Sequence, residues 1–199
     1  GVVRAASARA RAGDPTVAAA LAADGAGLGG ARIVAEAVAP ALARAGVPRA
    51  LADACEVAWG PFDAQAGRGA PGVSADGELV VAGLRLGNVL VVVQPLLGIE
   101  GDPMRLLFER DLTPHPQYVA HHAWLAAGGG FGAHALVHLG MHGTVEWLPG
   151  QPLGNDARSW SDALLGGMPN LYCYAANNPS EGLLAKRRGY GTMVSHNVP

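Results

Sequence analysis

The stretch LYCYAANNPSEGLLAKRRGYGTMVS, residues 171–195, carries the pattern that decides the fold class. It opens with the apolar and aromatic run Leu171–Ala175 and closes with the shorter run Thr192–Ser195, and both are typical of β-strands. The segment between them, Pro179–Arg188, has the length and composition of a helix. The stretch therefore predicts a strand, a helix and a second strand in succession.

Specific residues mark both ends of that helix. Asn178 is a favoured N-cap, Pro179 is favoured at the first helical position, and Glu181 stands where a side chain reaches back to the cap. Three basic residues at 186–188 fall in the last turn, where positive charge is attracted to the negative end of the helix dipole. The sequence therefore specifies this helix more closely than any other element.

The same alternation extends toward the N-terminus. Two apolar runs rich in β-branched residues, Glu78–Ala82 and Asn88–Gln94, are typical of strands buried on both faces. Further elements are predicted as a helix at Pro116–Ala127, a strand at Ala135–Leu139 and a helix at Ser159–Leu165. Alternating strands and helices predict an α/β fold with a mostly parallel sheet and flanking helices, which we assign to residues 78–199.

Residues 1–77 have a different character. Gly1–Ala58 is rich in Ala and Arg, has apolar residues at helical spacing and is interrupted by Gly and Pro, which predicts three or four short helices. Trp59–Gly77 is Gly-rich and without periodicity, which predicts a loop. We therefore expect a small Ala-rich helical segment ahead of the α/β part. Because the chain opens on Gly1 and stops at Pro199, we also expect a fragment of a longer protein.

The composition argues against several classes of function. Of 199 residues, 50% are hydrophobic and 15% are charged, and the formal net charge is -2, so nothing attracts the chain to nucleic acid. No apolar run reaches the roughly 20 residues of a membrane helix, and no signal peptide is apparent. Cys55 and Cys173 make neither a disulfide framework nor a paired metal site and are interpreted as buried small side chains. We expect a cytoplasmic protein without an integral membrane segment.

The segment HLGMHGTVEWLPG, residues 138–150, has the highest density of reactive side chains and follows a predicted strand. In open α/β sheets, ligands bind beyond the carboxyl ends of the strands, where glycines let the backbone approach a ligand. If Thr144 begins a helix, the four-residue spacing of His142 and Glu146 lets both side chains face one point. An imidazole and a carboxylate at that point suit proton transfer and the binding of a divalent cation.

These residues also have a purely structural interpretation. Glu146 near a helix N-terminus interacts favourably with the helix dipole, His142 can hydrogen-bond the turn, and His138 can be buried at the strand end. Two further histidines, His121 and His122, lie on the preceding predicted helix. Since adjacent residues point to different sides of a helix, at most one of them is expected to join a site.

Two weaker patterns have simpler explanations. GAGLGG at 25–30 fits the dinucleotide-binding spacing, but an Ala-rich helix precedes it instead of a strand, so a turn between helices is the better interpretation. Glu100 and Asp102 follow an apolar run and are interpreted as part of a turn. The phosphate-binding Gly-x-x-x-x-Gly-Lys-Ser/Thr pattern does not occur in the sequence, so any ATP chemistry is expected elsewhere or in partners.

Four ordered blocks between about Leu84 and Pro199 are similar to the large-subunit family of magnesium chelatase and cobaltochelatase. The blocks are GNVLVVVQP at 87–95, GIEGDPMRLLF at 98–108, HLGMHGTVEWLPG at 138–150, and PNLYCYAANNPSEGLLAKRR at 169–188. Residues 1–83 carry no motif of that family. The order and the number of the blocks make a chance agreement untenable.

The resemblance implies a porphyrin-binding segment of a magnesium chelatase large subunit, which inserts Mg²⁺ into protoporphyrin IX in chlorophyll and bacteriochlorophyll synthesis. ATP would be hydrolysed by partner AAA+ ATPase subunits, assisted by a bridging subunit. Carried onto this sequence, the catalytic pair is His142 and Glu146, the metal-handling set is this pair with His138 and Glu181, and the residues facing porphyrin propionates are Lys186 and Arg187.

Two departures from the common family pattern leave alternatives open. Met141 stands where Thr is common, and Gln151 stands where Lys is common. A divergent, non-catalytic porphyrin carrier or regulatory paralogue is therefore one alternative. Another is the cobaltochelatase large subunit, which acts on hydrogenobyrinic acid diamide in cobalamin synthesis and shares the His-Gly-x-x-Glu and Lys-Arg-Arg features. The blocks at 100–105 and 176–180 favour the magnesium branch.

Overall fold

The computed structural model describes residues 29–33, 35–61, 79–95, 97, 109, 112–126, 130–140, 142–154, 156–174 and 179–194. Within these ranges the elements are β1 (Gly29–Ile33), α1 (Ala35–Arg44), α2 (Arg49–Trp59), β2 (Leu79–Leu86), β3 (Val89–Val92), α3 (Pro116–Ala126), β4 (Leu136–Gly140), a 3₁₀ helix (Val145–Trp147), α4 (Trp160–Leu165), β5 (Asn170–Tyr174), α5 (Pro179–Gly189) and β6 (Thr192–Val194). The helices predicted before residue 29, most of the predicted loop and the 100–102 turn lie outside the described residues. No helix in the described part is long and apolar enough to span a membrane.

The C-terminal strands form a parallel sheet in the order β4, β5, β6. In its register His138 lies opposite Tyr172, and Tyr172 lies opposite Met193. α4 lies between β4 and β5 in the chain, and α5 lies between β5 and β6, as the crossover connections of parallel strands require. The predicted α/β class, with a parallel sheet and flanking helices, is confirmed.

α5 begins at Pro179, as predicted, and continues to Gly189. Its predicted N-cap, Asn178, lies outside the described residues. The buried face of the helix includes Glu181, Ala185 and Arg188, which are spaced four and three residues apart and so share one side. This face packs toward the 3₁₀ helix and α4 and so brings two charged side chains into the interior.

The N-terminal strands form a second sheet, which is antiparallel and has the order β1, β2, β3. The expectation of strands buried on both faces is wrong for β3, because Val89 and Val91 are 59% and 55% exposed. Only Gly87 and Asn88 separate β2 from β3, and so short a connection can join only antiparallel strands. The Gly87 φ of 62° matches such a turn. β1 also replaces the start of a predicted helix, which begins at Ala35 instead.

One apolar core joins residues from both sides of position 77. It contains Val38, Leu42, Cys55, Leu79, Val81, Tyr118, Val119, Val145, Leu148, Trp160 and Leu164, together with smaller neighbours. Gln117 on α3 donates to the Val80 carbonyl oxygen and so ties the helix to β2. Cys55 is fully buried, as predicted, and Cys173 is partly buried. The division into 1–77 and 78–199 stays a prediction.

Candidate functional site

The turn after β4 carries the candidate residue His142 and leads into the short helix that carries Glu146. β4 ends at Gly140, and the chain passes through His142 to Thr144 and then into the 3₁₀ helix Val145–Trp147. A helical turn was expected from Thr144, and a single 3₁₀ turn stands there. Thr144 donates to the Gln94 side-chain oxygen at 2.9 Å and lies 3.0 Å from the Tyr118 hydroxyl, so α3 and the segment after β3 hold the turn in place.

Glu146 is completely buried beneath this turn. Its Oε2 accepts a hydrogen bond of 2.8 Å from the Tyr172 hydroxyl on β5. Burial raises the pKa of Tyr172 well above its usual range, and the neighbouring Glu146 carboxylate adds to that effect. The Tyr172 hydroxyl therefore keeps its proton at neutral pH and donates it in the hydrogen bond to Glu146.

His142 makes a different pair. Its side chain is 61% exposed, and Nδ1 lies 3.1 and 3.2 Å from the two carboxylate oxygens of Glu181, whose side chain is only 4% exposed. The pair forms because His142 follows β4 and Glu181 opens the helix after β5, so both stand at the carboxyl edge of neighbouring parallel strands. With Nδ1 held by a carboxylate, Nε2 on the exposed ring can act on a ligand.

His142 and Glu146, which were expected to face one point, have different hydrogen-bond partners. The described hydrogen bonds join His142 to Glu181 and Glu146 to Tyr172. A spacing of four residues brings side chains together only within a continuous α-helix, and residues 142–144 are not helical. The two acidic side chains nevertheless belong to one edge of the sheet.

His138, on β4, contacts the site through Tyr172. Its ring stacks on the Tyr172 ring with centroids 4.5 Å apart and an interplanar angle of 22°. Burial lowers its pKa to about 4, so the ring is neutral at physiological pH. Its Nε2 has no hydrogen-bond partner among the described residues.

The two histidines on α3 are both buried, against the expectation that they divide between two sides. His121 and His122 are 3% and 1% exposed, and burial lowers the pKa of each well below its usual range. Their ring centroids lie 5.5 Å apart, and the nearby His138 also lowers the pKa of each. Their adjacency did not separate them because α3 is covered on nearly all sides, which the unbroken burial of 116–123 reflects.

The basic residues of α5 have different environments. Lys186 and Arg187 are exposed, whereas Arg188 is completely buried and donates to the backbone oxygens of Glu146 and Leu148. The sequence interpretation missed Arg188 and Tyr172. The spacing of 181, 185 and 188 on one helix face was the signal that pointed to Arg188.

The described residues contain no group of three or more His, Cys, Asp or Glu side chains placed to hold one metal ion. The His142–Glu181 pair offers at most two protein groups to a cation. That arrangement suits an ion that keeps several waters or takes ligands from a bound molecule.

Tyr172→Phe tests the buried pair, and we expect it to lower the free energy of unfolding by about 1–3 kcal/mol, because the Glu146 carboxylate loses a buried donor. Urea unfolding monitored by tryptophan fluorescence measures the change. Tyr190→Phe is the matched control, because Tyr190 is 63% exposed and should change stability little. Equal effects of the two changes would contradict the importance of the buried hydrogen bond.

Acidification should destabilise the fold through the buried histidines. The pKa of His121 is about 4 in the folded chain and 6.5 otherwise, so its stabilisation is complete above pH 6.5 and is lost as pH falls toward 4. The expected slope is about 1.4 kcal/mol per pH unit for each such group. Urea midpoints at pH 7 and pH 5 measure it. His121→Gln should flatten the slope, whereas the exposed His134→Gln should not; identical slopes in all three proteins would refute the assignment.

The arrangement of these side chains indicates the kind of chemistry that the site can support. An exposed imidazole held by a buried carboxylate, beside a second buried carboxylate, at the edge of a parallel sheet, suits proton transfer and cation handling on a ligand bound at that edge. The CobN/Magnesium Chelatase family matches residues 40–199, and the chain belongs to that family.

Similar proteins come from both branches of the family. The chain is 56% identical over 122 residues to the magnesium-chelatase H subunit of Chlorobaculum parvum, covering 61% of this chain and 9% of that protein. It is 47% identical over 151 residues to the corresponding protein of Cereibacter sphaeroides, covering 75% and 12%. It is 44% identical over 124 residues to the aerobic cobaltochelatase CobN protein of Pseudomonas aeruginosa, covering 62% and 10%.

A solved structure supports the fold. The catalytic subunit of cobaltochelatase from Mycobacterium tuberculosis superposes with a TM-score of 0.67 and 38% sequence identity, over 93% of this chain and 16% of that one. The chain therefore spans about a tenth of the length of the curated relatives it matches.

Proposed function

We propose that this chain is the segment of a magnesium chelatase large subunit that receives Mg²⁺ and takes protons from protoporphyrin IX, in the cytoplasm, for chlorophyll or bacteriochlorophyll synthesis. The observation that supports this most directly is the exposed His142 ring held by the buried Glu181 carboxylate. AAA+ ATPase partners would hydrolyse ATP, and a bridging subunit would link them to this subunit.

Metal insertion requires two pyrrole N–H protons to leave the macrocycle while the ion loses water. In the proposal, neutral His142 accepts one proton at Nε2 while its Nδ1–H donates to Glu181, which stabilises the imidazolium. The Glu146 carboxylate is proposed to accept the second proton. Because Glu146 is fully buried, the turn at 142–144 has to move before ligand or ion reaches its carboxylate.

The choice of Mg²⁺ follows from the donor types. Mg²⁺ prefers carboxylate oxygens and keeps several waters, and Glu181 with Glu146 offers oxygens without a complete protein cage among the described residues. Lys186 and Arg187, both exposed on α5, are proposed to pair with the porphyrin propionates. His138, whose ring stacks on Tyr172, is proposed to remain in the metal-handling set with His142, Glu146 and Glu181.

Cobalt insertion is the second candidate. Co²⁺ accepts imidazole readily, and the exposed ring of His142 is a ready ligand for it. Direct coordination of the metal by His142 would favour the cobaltochelatase reaction. If His142 acts as a base beside a carboxylate-held ion, the magnesium reaction fits.

Metal insertion by the full-length subunit with its ATPase partners decides between them. Protoporphyrin IX and hydrogenobyrinic acid diamide are each offered with Mg²⁺ or Co²⁺ in separate assays, and product is followed by the absorbance of the metallated macrocycle. Mg²⁺ insertion that depends on ATP supports the proposal. Insertion of Co²⁺ alone, into a corrin-type substrate, supports the second candidate. Tight porphyrin binding without insertion of either metal supports the non-catalytic carrier or regulatory interpretation.

His142→Ala is expected to lower the rate of insertion by about 100-fold or more, because the proton acceptor is lost. Because His142→Ala also removes a hydrogen-bond partner of the buried Glu181 carboxylate, we expect a loss of about 1–3 kcal/mol of unfolding free energy, which urea unfolding measures beside the rate. His134→Ala is the matched control, because His134 is exposed and outside the site. Insertion rates measured at saturating Mg²⁺ give the comparison. Equal rates for the two variants would remove His142 from the mechanism.

A further inference from the structure

Arg188 is an unusual residue for the last turn of a surface helix. Its neighbours Lys186 and Arg187 are exposed, yet Arg188 has no exposed surface and is among the largest fully buried side chains described. A charged side chain is seldom fully buried unless it is paired. Complete burial also prevents it from meeting a porphyrin directly.

The guanidinium spans the 3₁₀ helix that carries Glu146. One terminal nitrogen donates to the backbone oxygen of Glu146, and the other donates to the backbone oxygen of Leu148, the residue that ends the helix. Because the two nitrogens belong to one rigid plane, the fork fixes the relative placement of both carbonyl groups. Arg188 therefore acts on the 3₁₀ helix through these two bonds.

The charge of Arg188 faces the same residue. Burial lowers the pKa of the guanidinium, and the Glu146 carboxylate acts in the opposite direction, so the two charges attract each other in the interior. Tyr172 binds the carboxylate from another side, on β5. Glu146 is thus held through its backbone by α5 and through its side chain by β5.

We propose that Arg188 is a positioning residue for Glu146, holding the 3₁₀ helix at the place and angle that the carboxylate needs for metal insertion. The inference rests on the proposed function, because it presumes that Glu146 takes part in insertion. It adds a buried residue that is proposed to act on the reaction through the position of Glu146.

The test uses the full-length subunit with its ATPase partners and compares Arg188→Met with Arg188→Lys. Arg188→Met removes the positive charge and both N–H donors of the guanidinium. We expect insertion to slow by about 10- to 100-fold while the Kd for protoporphyrin IX changes less than about 2-fold. Arg188→Lys keeps the charge and one donor and should recover part of the rate. Arg49→Met is the matched control, because Arg49 is an exposed arginine on α2 whose side chain is 92% exposed.

A double-variant comparison tests whether Arg188 acts through Glu146. Glu146→Asp withdraws the carboxylate by one methylene, so the defects of Arg188→Lys and Glu146→Asp should overlap and the double variant should be slower than the worse single one by less than about 3-fold. Fully multiplied defects would overturn the inference, as would a loss of porphyrin binding equal to the loss of rate.

The inference and the proposed function can fail separately. If Glu146→Gln inserts metal normally, the proposed function is wrong. If Glu146→Gln is inactive but Arg188→Lys and Arg188→Met insert metal at the wild-type rate, only the inference is overturned. Should Arg188→Met not fold, Arg188→Lys alone decides: a slowed rate at unchanged porphyrin Kd supports the inference, and an unchanged rate overturns it.

Discussion

Glu146→Gln is expected to reduce Mg²⁺ insertion by at least about 100-fold while leaving the fold intact. The amide has nearly the same shape as the carboxylate, and its oxygen can still accept from the Tyr172 hydroxyl. The negative charge, however, is lost, and with it the ability to accept a proton or attract a divalent cation. Insertion assays on the full-length subunit with its partners measure the rate, and fluorescence quenching measures porphyrin binding.

The control for Glu146→Gln is a second variant in which Gln replaces Glu at a position outside the candidate site. Glu56→Gln removes a carboxylate on α2, an element that carries none of the candidate site residues, and its rate should equal the wild-type rate. Urea unfolding of both variants shows whether the fold persists. If Glu146→Gln inserts Mg²⁺ as fast as Glu56→Gln does, Glu146 has no part in the reaction. If Glu146→Gln unfolds, the role of the carboxylate is structural.

Gly143→Ala is expected to give the largest structural effect. A Cβ at Gly143 would overlap Tyr172 Cε1 and Glu146 Oε1 and lie 2.8 Å from Glu146 Oε2. Neither neighbour can retreat easily, because both are buried and bonded to each other. We expect a loss of about 1–3 kcal/mol of unfolding free energy, or more, together with loss of insertion, because overpacking displaces the Glu146 carboxylate that we propose to act in insertion.

Gly140→Ala is the matched control in the same turn. The nearest atom to a Cβ there is the His142 backbone oxygen at 3.7 Å, which is an ordinary contact. Denaturant midpoints for the two variants therefore separate close packing from a general intolerance of the turn. If Gly143→Ala is as stable and as active as Gly140→Ala, Tyr172 and Glu146 are not packed against the turn as described.

The parts of the fold that could be predicted depend on the conformational preferences of residues that are close in sequence. The start of α5 at Pro179 follows from helix-capping preferences, which act over a few neighbouring residues. The strands of the parallel sheet follow from short apolar runs between helices. The antiparallel sheet was missed because an apolar run does not reveal its partner, although the two-residue connection at Gly87 and Asn88 contained that information.

The candidate site also combines features that are local in sequence with contacts that only the packing of distant elements creates. His142, Glu146 and Glu181 were named from residue type, position after a strand and resemblance to a family, all of which are properties of the chain read in order. His142 and Glu181 are 39 residues apart in sequence, and their pairing depends on two strand ends that are adjacent in the sheet. Parallel pairing of β4 with β5 decided that contact.

The sequence by itself therefore determined the α/β class, the boundaries of α5 and the residues that can do chemistry, because these follow from short-range preferences. Only the tertiary structure decided which of them meet. It separated Arg188 from Lys186 and Arg187 by turning one side chain into the core, and it gave Glu146 its buried Tyr172 partner. Burial and side-chain pairing depend on how distant elements pack, so the spacing of 181, 185 and 188 indicates a shared helix face but does not show that this face is buried.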